Sequence, residues 1–210
     1  MTAIKFCGIT REEDATLAAE LGAAAVGLVL WPGSPRAVAP ARARRVVDGL
    51  PPFVTPVAVL VSPTADDVRR VVESVGVRVV QVHGAVDLET LIDGGWTIVR
   101  ATSLAGGPAA ARAIDPRVTV LLDAHDPARH GGTGTTIDWT AAAGVARARR
   151  VILAGGLRPD NVAQAIAEVR PYGVDVASGV EVAPGVKDAA RMRAFAAAVR
   201  AAETEGRTTA

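Results

Sequence analysis

The sequence predicts an α/β fold: one (β/α)8 TIM barrel of eight parallel strands, each followed by a helix. Three observations carry this. Short aliphatic runs recur about every 25 residues, each followed by a longer helical stretch, which is the spacing of repeated strand–helix units. The runs show little polar alternation, as expected of strands covered on both faces. The chain has 210 residues, enough for one domain of eight such units and short for two.

The strands are predicted over residues 4–7, 25–30, 56–60, 79–82, 97–101, 118–122, 151–154 and 174–176. Between them the helices fall over 12–21, after Thr10 as a cap and before Gly22; 41–48, after Pro40; and 65–74, after Thr64 and before Gly76. The next is a short one over 87–92, closed by Gly94-Gly95. It is followed by 108–114, opened by Gly106-Gly107, and by 138–146 after a glycine-rich loop. Residues 161–169 follow Pro159-Asp160, and 188–202 end the barrel domain. The domain is thus residues 1–202, and 203–210 form a polar, frayed tail. Strict alternation implies right-handed crossovers and a parallel sheet. An open doubly wound sheet is the alternative, but it rarely needs eight regular units.

Half of the residues are apolar and only 3% aromatic, so Val, Ala, Leu and Ile must fill the core. The formal charge of +1 gives no electrostatic case for nucleic acid or an anionic membrane as partner. Mean hydropathy is +0.28, yet the longest apolar stretch, 21–31, falls short of the roughly 20 residues of a spanning helix. Met1-Thr2-Ala3-Ile4-Lys5 enters a strand at once, unlike a signal peptide. A single cysteine forms no internal disulfide and fits a reducing, cytoplasmic setting. It also removes any zinc-finger or iron–sulfur reading.

In such a barrel, chemistry sits at the C-terminal ends of the strands. After strand one, Lys5-Phe6-Cys7-Gly8 puts Cys7 at the mouth with room beside it. An isolated cysteine is ordinarily a small core residue; a functional one needs a lowered pKa or a nearby proton acceptor. After strand two, Trp31-Pro32-Gly33-Ser34-Pro35-Arg36 is a stiff loop projecting Arg36, either a solvated arginine or a fork for a carboxylate or phosphate. Gln81-Val82-His83-Gly84 ends strand four, where His83 reads as a structural or site-lining residue. Strand six ends at Asp123, a helix cap, an ion-pair partner, or a partly desolvated carboxyl fit to act as general acid. His125, Asp126 and His130 read as exposed turn residues. Gly131-Gly132-Thr133-Gly134 is a phosphate nest, a lid or a plain turn. Ala154-Gly155-Gly156-Leu157 and Ala177-Ser178-Gly179-Val180-Glu181 end strands seven and eight, where many barrels bind phosphate. No Walker A pattern or G-x-G-x-x-G after the first strand points to a nucleotide cofactor.

Taken in order, these strand ends resemble the phosphoribosylanthranilate isomerase family of tryptophan biosynthesis, from one terminus to the other. Lys5-Phe6-Cys7-Gly8 resembles its K-x-C-G, Ser34-Pro35-Arg36 its S-x-R, and Gln81-Val82-His83-Gly84 its Q-x-H-G. Asp123 with Gly131-Gly132-Thr133-Gly134 resembles its aspartate and G-G-[ST]-G loop. Gly155-Gly156-Leu157 with Pro159-Asp160-Asn161-Val162 resembles its G-G-L-x-P-x-N-V. Gly173-Val174-Asp175-Val176, Ser178-Gly179-Val180-Glu181 and Pro184-Gly185-Val186-Lys187-Asp188 resemble its closing motifs. Phe6 and the segment Val57-Ala58-Val59-Leu60 depart mildly, and the near absence of lysine reads as genomic composition.

The resemblance implies an Amadori aldose–ketose isomerase acting on N-(5-phosphoribosyl)anthranilate, a small-molecule substrate, with no metal or organic cofactor. It implies Cys7 as general base and Asp123 as general acid. Arg36 would take the anthranilate carboxylate, with Gly155, Gly156, Ser178 and Gly179 on the phosphate. His83, Gly132 and Gly134 would line the substrate. Asp175 and Glu181 match the motifs without an assigned role. No nucleic acid or membrane partner is expected, and a monomer and a homodimer are both open. The competing readings are another phosphosugar-binding barrel isomerase or epimerase, a bifunctional histidine/tryptophan isomerase, and a non-catalytic phosphate-ligand-binding barrel. Epimerases need metal ligands at strand ends, and the bifunctional enzymes an aspartate where this chain has Cys7.

Overall fold

The computed structural model describes residues 1–124 and 137–208. His125, Asp126, His130 and the glycine loop containing Gly132 and Gly134 lie outside the described residues. Eight parallel strands close into a barrel in sequence order. They are β1 (Ala3–Phe6), β2 (Ala25–Val29), β3 (Thr55–Val61), β4 (Val79–His83), β5 (Thr97–Thr102), β6 (Thr119–Leu122), β7 (Val151–Leu153) and β8 (Gly173–Val176). The seam joins β1 to β8, with Lys5 opposite Asp175 and Phe6 opposite Val176. The helices are α1 (Glu12–Glu20), α2 (Pro40–Asp48), α3 (Ala65–Val75), α4 (Leu88–Asp93), α5 (Gly107–Ala113), α6 (Trp139–Ala146), α7 (Val162–Val169) and α8 (Ala189–Thr208). No helix among the described residues is long and apolar enough to cross a membrane.

Local chemistry sets several ends. Thr64 caps α3 in a reciprocal capping box with Asp67, and Gly76 closes it in the left-handed region. Asp138 accepts from the Ala141 amide at the start of α6. Thr10, read from sequence as the cap of α1, instead donates its hydroxyl to the Gly185 carbonyl, and Arg11 holds the cap position. The short α5 has no side-chain cap. Its C-terminal side is held by Arg149, which donates to the carbonyls of Ile114 at 2.5 Å and Val118 at 2.7 Å. A cation there suits exposed helix-end carbonyls.

Each strand separates two environments, because successive side chains point to opposite faces. Outward residues such as Ile4, Phe6, Val26, Leu122 and Val174 pack under the helices in the main core. Inward residues Val99, Ala101, Leu121 and Ala154 form a separate small cluster. Phe6 of β1 meets Phe195 of α8 edge to face, with ring centroids 6.1 Å apart and both rings fully buried. The closing helix runs past Ala202, where the sequence predicts a polar tail. Glu203 accepts from the Thr2 amide, and Arg200 donates to the Leu21 carbonyl, so tertiary contacts extend the helix.

The sequence also missed a small element. After β8 comes a 3₁₀ turn (Ser178–Val180) and an antiparallel hairpin of β9 (Glu181–Ala183) and β10 (Val186–Lys187). Its two inner side chains are charged and buried. Lys187 Nζ donates to the Cys7 carbonyl (2.6 Å), the Ala177 carbonyl (3.1 Å) and Glu181 Oε1 (2.8 Å). Three acceptors around one nitrogen call for the three donors of an ammonium. Glu181 also accepts from Arg36, at 2.9 Å from Nε and 2.6 Å from Nη2. Burial alone pushes the Glu181 carboxyl up, but the hydrogen bonds and charges of Arg36 and Lys187 hold it below the ordinary glutamate range.

Two expectations follow. Phe195→Ala should cost about 3–5 kcal/mol of unfolding free energy, measured by urea titration; a loss under about 1 kcal/mol would mean α8 does not brace β1. Glu181→Gln should cost roughly 3–5 kcal/mol, because it strips a buried partner from two cations. The Glu181 contribution should be complete above the ordinary glutamate pKa and fade as pH falls through the lower folded-state value. An acid limb in the stability profile that is unchanged in Glu181→Gln would contradict this.

Candidate active site

Over the C-terminal ends of the strands lies a cavity of about 530 Å³. Its lining brings together Cys7 beyond β1, Arg36 from the loop after β2, His83 ending β4, Asp123 beyond β6, Gly155 and Gly156 after β7, and Ser178 and Gly179 after β8. Every described residue that the sequence nominated for the site is therefore on one wall or another of the same space. Gln81, Arg100 and Asp175 line it too, and of these the sequence reading gave a role to none.

Cys7 follows the last residue of β1, and its amide donates to the Val176 carbonyl at 2.8 Å, so the seam with β8 sets its height. Lys5, two residues earlier, points to the same inner face. It forms a buried ion pair with Asp175 at 2.8 Å, the two side chains being 6% and 9% exposed. Its ammonium and the Cys7 sulfur both lie against Gly27 of β2. Burial alone pushes the lysine down, but Asp175 and Cys7 together more than reverse this, and the ammonium stays above the ordinary lysine range. For Cys7, burial pushes the thiol up, the Lys5 charge pulls it back, and the net direction is up. Burial thus opposes ionisation of Cys7, and the Lys5 charge favours it.

Space for this cluster comes from β2. A Cβ added to Gly27 would lie 2.7 Å from the Cys7 sulfur and 3.0 Å from Lys5 Nζ, closer than side-chain carbons approach. Gly8 does the same for Arg36: a Cβ there would sit 2.5 Å from Arg36 Cδ. The room beside Cys7 thus belongs to the arginine. The Ser34 hydroxyl accepts from the Arg36 amide at 3.1 Å, turning the loop inward. Glu181 takes Nε and Nη2 of Arg36, and Nη1 meets no acceptor among the described residues.

The turns after β7 and β8 touch. A Cβ on Gly179 would fall 1.9 Å from the Leu157 carbonyl oxygen, so only glycine fits. Asn161 pins the first turn, accepting from the Arg158 amide at 2.8 Å and donating to the Gly156 carbonyl at 3.0 Å. On β4, Gln81 Nε2 lies 2.8 Å from His83 Nε2, which orients the imidazole at the rim. Gln81 Oε1 is buried and has no partner among the described residues. Arg100, half-buried, donates to the Val82 carbonyl at 3.4 Å, and burial pushes its guanidinium below the ordinary range.

The residues to which sequence reasoning gave no role are buried charged ones: Lys5 and Asp175 on the barrel strands, and Glu181 and Lys187 on the hairpin after β8. A signal was present. Of the 23 lysine and arginine residues only Lys5 and Lys187 are lysine, and both are buried at this site.

The chain is similar to known proteins along nearly its whole length. The family profile for N-(5'-phosphoribosyl)anthranilate (PRA) isomerase matches residues 4–198. The N-(5'-phosphoribosyl)anthranilate isomerase of Nitrosococcus oceani is 45% identical over 197 residues, spanning 92% of this chain and 95% of that protein. The crystal structure of phosphoribosyl anthranilate isomerase from Thermus thermophilus superposes with a TM-score of 0.85 at 39% identity, covering 95% of this chain and 99% of the other. A phosphoribosyl anthranilate isomerase in complex with reduced 1-(o-carboxyphenylamino)-1-deoxyribulose 5-phosphate superposes with a TM-score of 0.84 at 35% identity, covering 96% and 100%. The chain, matched from its first strand to its last helix, belongs to the N-(5'-phosphoribosyl)anthranilate isomerase family.

Proposed function

We propose that the chain converts N-(5-phosphoribosyl)anthranilate to 1-(2-carboxyphenylamino)-1-deoxyribulose 5-phosphate by an Amadori rearrangement, as a step of tryptophan biosynthesis. The observation that carries the reading is that the chain's one cysteine and the Asp123 carboxyl, 116 positions apart in sequence, line a single cavity bordered by Arg36 and two glycine turns. A related structure holds a reduced form of that product, which supports the same ligand class here.

The groups divide the work as follows. Asp123, protonated at the start, donates to the furanose ring oxygen. The C1–O bond breaks, and the anilino nitrogen lone pair forms a C=N⁺ bond. That cation acidifies the C2 proton, which Cys7 as thiolate removes. The C2–H electron pair becomes the C1=C2 bond, and the iminium pair returns to nitrogen. The enolamine then gains a proton at C1 and loses one from the C2 hydroxyl, leaving the ketone. Each acid–base step contributes about 10²–10⁴-fold. Arg36, its fork held by Glu181, presents Nη1 to the anthranilate carboxylate. The turns carrying Gly155, Gly156, Ser178 and Gly179 take the phosphate on backbone N–H groups. His83 lines the substrate, oriented by Gln81. No metal or organic cofactor enters these steps.

Turnover is followed by the change in anthranilate fluorescence as substrate generated in situ is consumed. Cys7→Ala and Asp123→Asn should each lower kcat by about 10²-fold or more with KM within a few-fold. Near-normal kcat in either variant would remove that residue from the mechanism. Arg36→Lys keeps a charge beside Glu181 but loses the planar fork, and should raise KM about tenfold with a smaller effect on kcat. An unchanged KM would exclude Arg36 as the carboxylate grip.

A further inference from the structure

We infer that Lys5 is the counter-ion that lets Cys7 ionise, a positioning residue for the general base, held in place by Asp175. This rests on the reading of Cys7 as base, and deepens it.

The geometry is specific. Lys5 and Cys7 stand on the same inner face of β1, and both side chains reach the point over Gly27, where an added Cβ would lie 2.7 Å from the sulfur and 3.0 Å from the ammonium nitrogen. Asp175, directly across the β1–β8 seam, fixes the ammonium from its other side at 2.8 Å. Gly27 on β2 leaves the space that sulfur and nitrogen both occupy. All three polar side chains are buried, so their mutual charges are weakly screened.

The charge count of the wider cluster points the same way. Cys7 faces Lys5 on β1, Asp175 on β8, Lys187 on β10 and Arg36 from the loop after β2. Glu181 on β9 neutralises part of the Arg36 and Lys187 charge. Three cations against two carboxylates leave one positive charge without an anion while Cys7 is a thiol. Ionising Cys7 makes the cluster neutral. The structure therefore opposes the thiolate by desolvation and favours it by charge, with Lys5 the strongest source.

Residue choice supports this as well. The chain uses arginine at every other basic position but lysine at 5 and 187. An ammonium is a compact point charge that fits between a sulfur and a carboxylate, where a guanidinium fork is too broad.

Because Cys7 is the only cysteine, alkylation by iodoacetamide reports its ionisation without interference. The rate is measured against pH on the full-length protein without substrate, with ultraviolet thiolate absorbance as a second measure. Lys5→Met should raise the midpoint by about one pH unit or more, which slows alkylation about tenfold at neutral pH. Asp175→Asn should lower the midpoint, since it removes a negative charge facing the sulfur. A general loosening of the packing would not move the two in opposite directions. If Lys5→Met does not fold, the double variant Lys5→Met/Asp175→Asn leaves no stranded charge and should still raise the midpoint, because the Lys5 charge acts on the sulfur more strongly than that of Asp175. In Lys5→Met, kcat should fall with KM little changed, and the acid limb of kcat against pH should shift with the alkylation midpoint. Midpoints unchanged in Lys5→Met and in the double variant would overturn the inference. A midpoint that moves while the activity profile stays fixed would leave the Lys5–Cys7 coupling standing and instead defeat the reading of Cys7 as base, as would activity retained in Cys7→Ala.

Discussion

The ion pair between Lys5 and Asp175 spans the seam where the two ends of the chain meet, and the site is arranged around it. Closure of the barrel puts β1 beside β8 in a register that sets these two residues opposite each other. Burying both charges costs several kcal/mol per ion unless geometry and hydrogen bonds offset it. Their direct 2.8 Å contact supplies that compensation. A one-residue slip of β1 at the seam would turn Lys5 outward into the aliphatic layer, bring Ile4 or Phe6 to the centre and strand Asp175 without its partner. The same register carries Cys7 to its height at the mouth.

A second charged group repeats this logic one layer out. Arg36, Glu181 and Lys187 come from the loop after β2 and from the hairpin after β8, and they converge beneath the cavity. Lys187 grips the carbonyls of both Cys7 and Ala177, so the end of β1 and the turn after β8 hang from one ammonium. This couples the candidate base, the candidate carboxylate grip and one phosphate turn mechanically. It is a reason for a barrel with a largely aliphatic core to keep costly charges inside.

The apolar layer does a different job. Phe6, Phe195 and most aliphatic residues beneath the helices hold the strands in place, and the two rings lie outside the cavity lining. Residues on one strand thus alternate between anchoring the fold and facing the cavity, as Phe6 and Cys7 do on successive positions. Glycines complete the arrangement where two backbones or a backbone and a side chain must meet, as at Gly27 and Gly179.

Much of this was legible in the sequence. The aliphatic runs located all eight strands to within two residues, and the strand ends named Cys7, Arg36, His83, Asp123 and the two glycine turns, because strand period and barrel geometry are local and repetitive. The β9–β10 hairpin was not legible: its strands are three and two residues long, and its stability comes from Glu181 and Lys187 reaching distant partners. Thr10 was misread as a cap, since its true acceptor is 175 positions away. The length of α8 was underestimated for the same reason. The sequence by itself determined the fold class, the order of the elements and which side chains reach the mouth, all consequences of short-range pattern. Only the tertiary structure decided which charges pair, that Cys7 shares its burial with Lys5 and Asp175, and that Arg36 is held by Glu181, because those energies depend on distances between residues that nothing in the local chain relates.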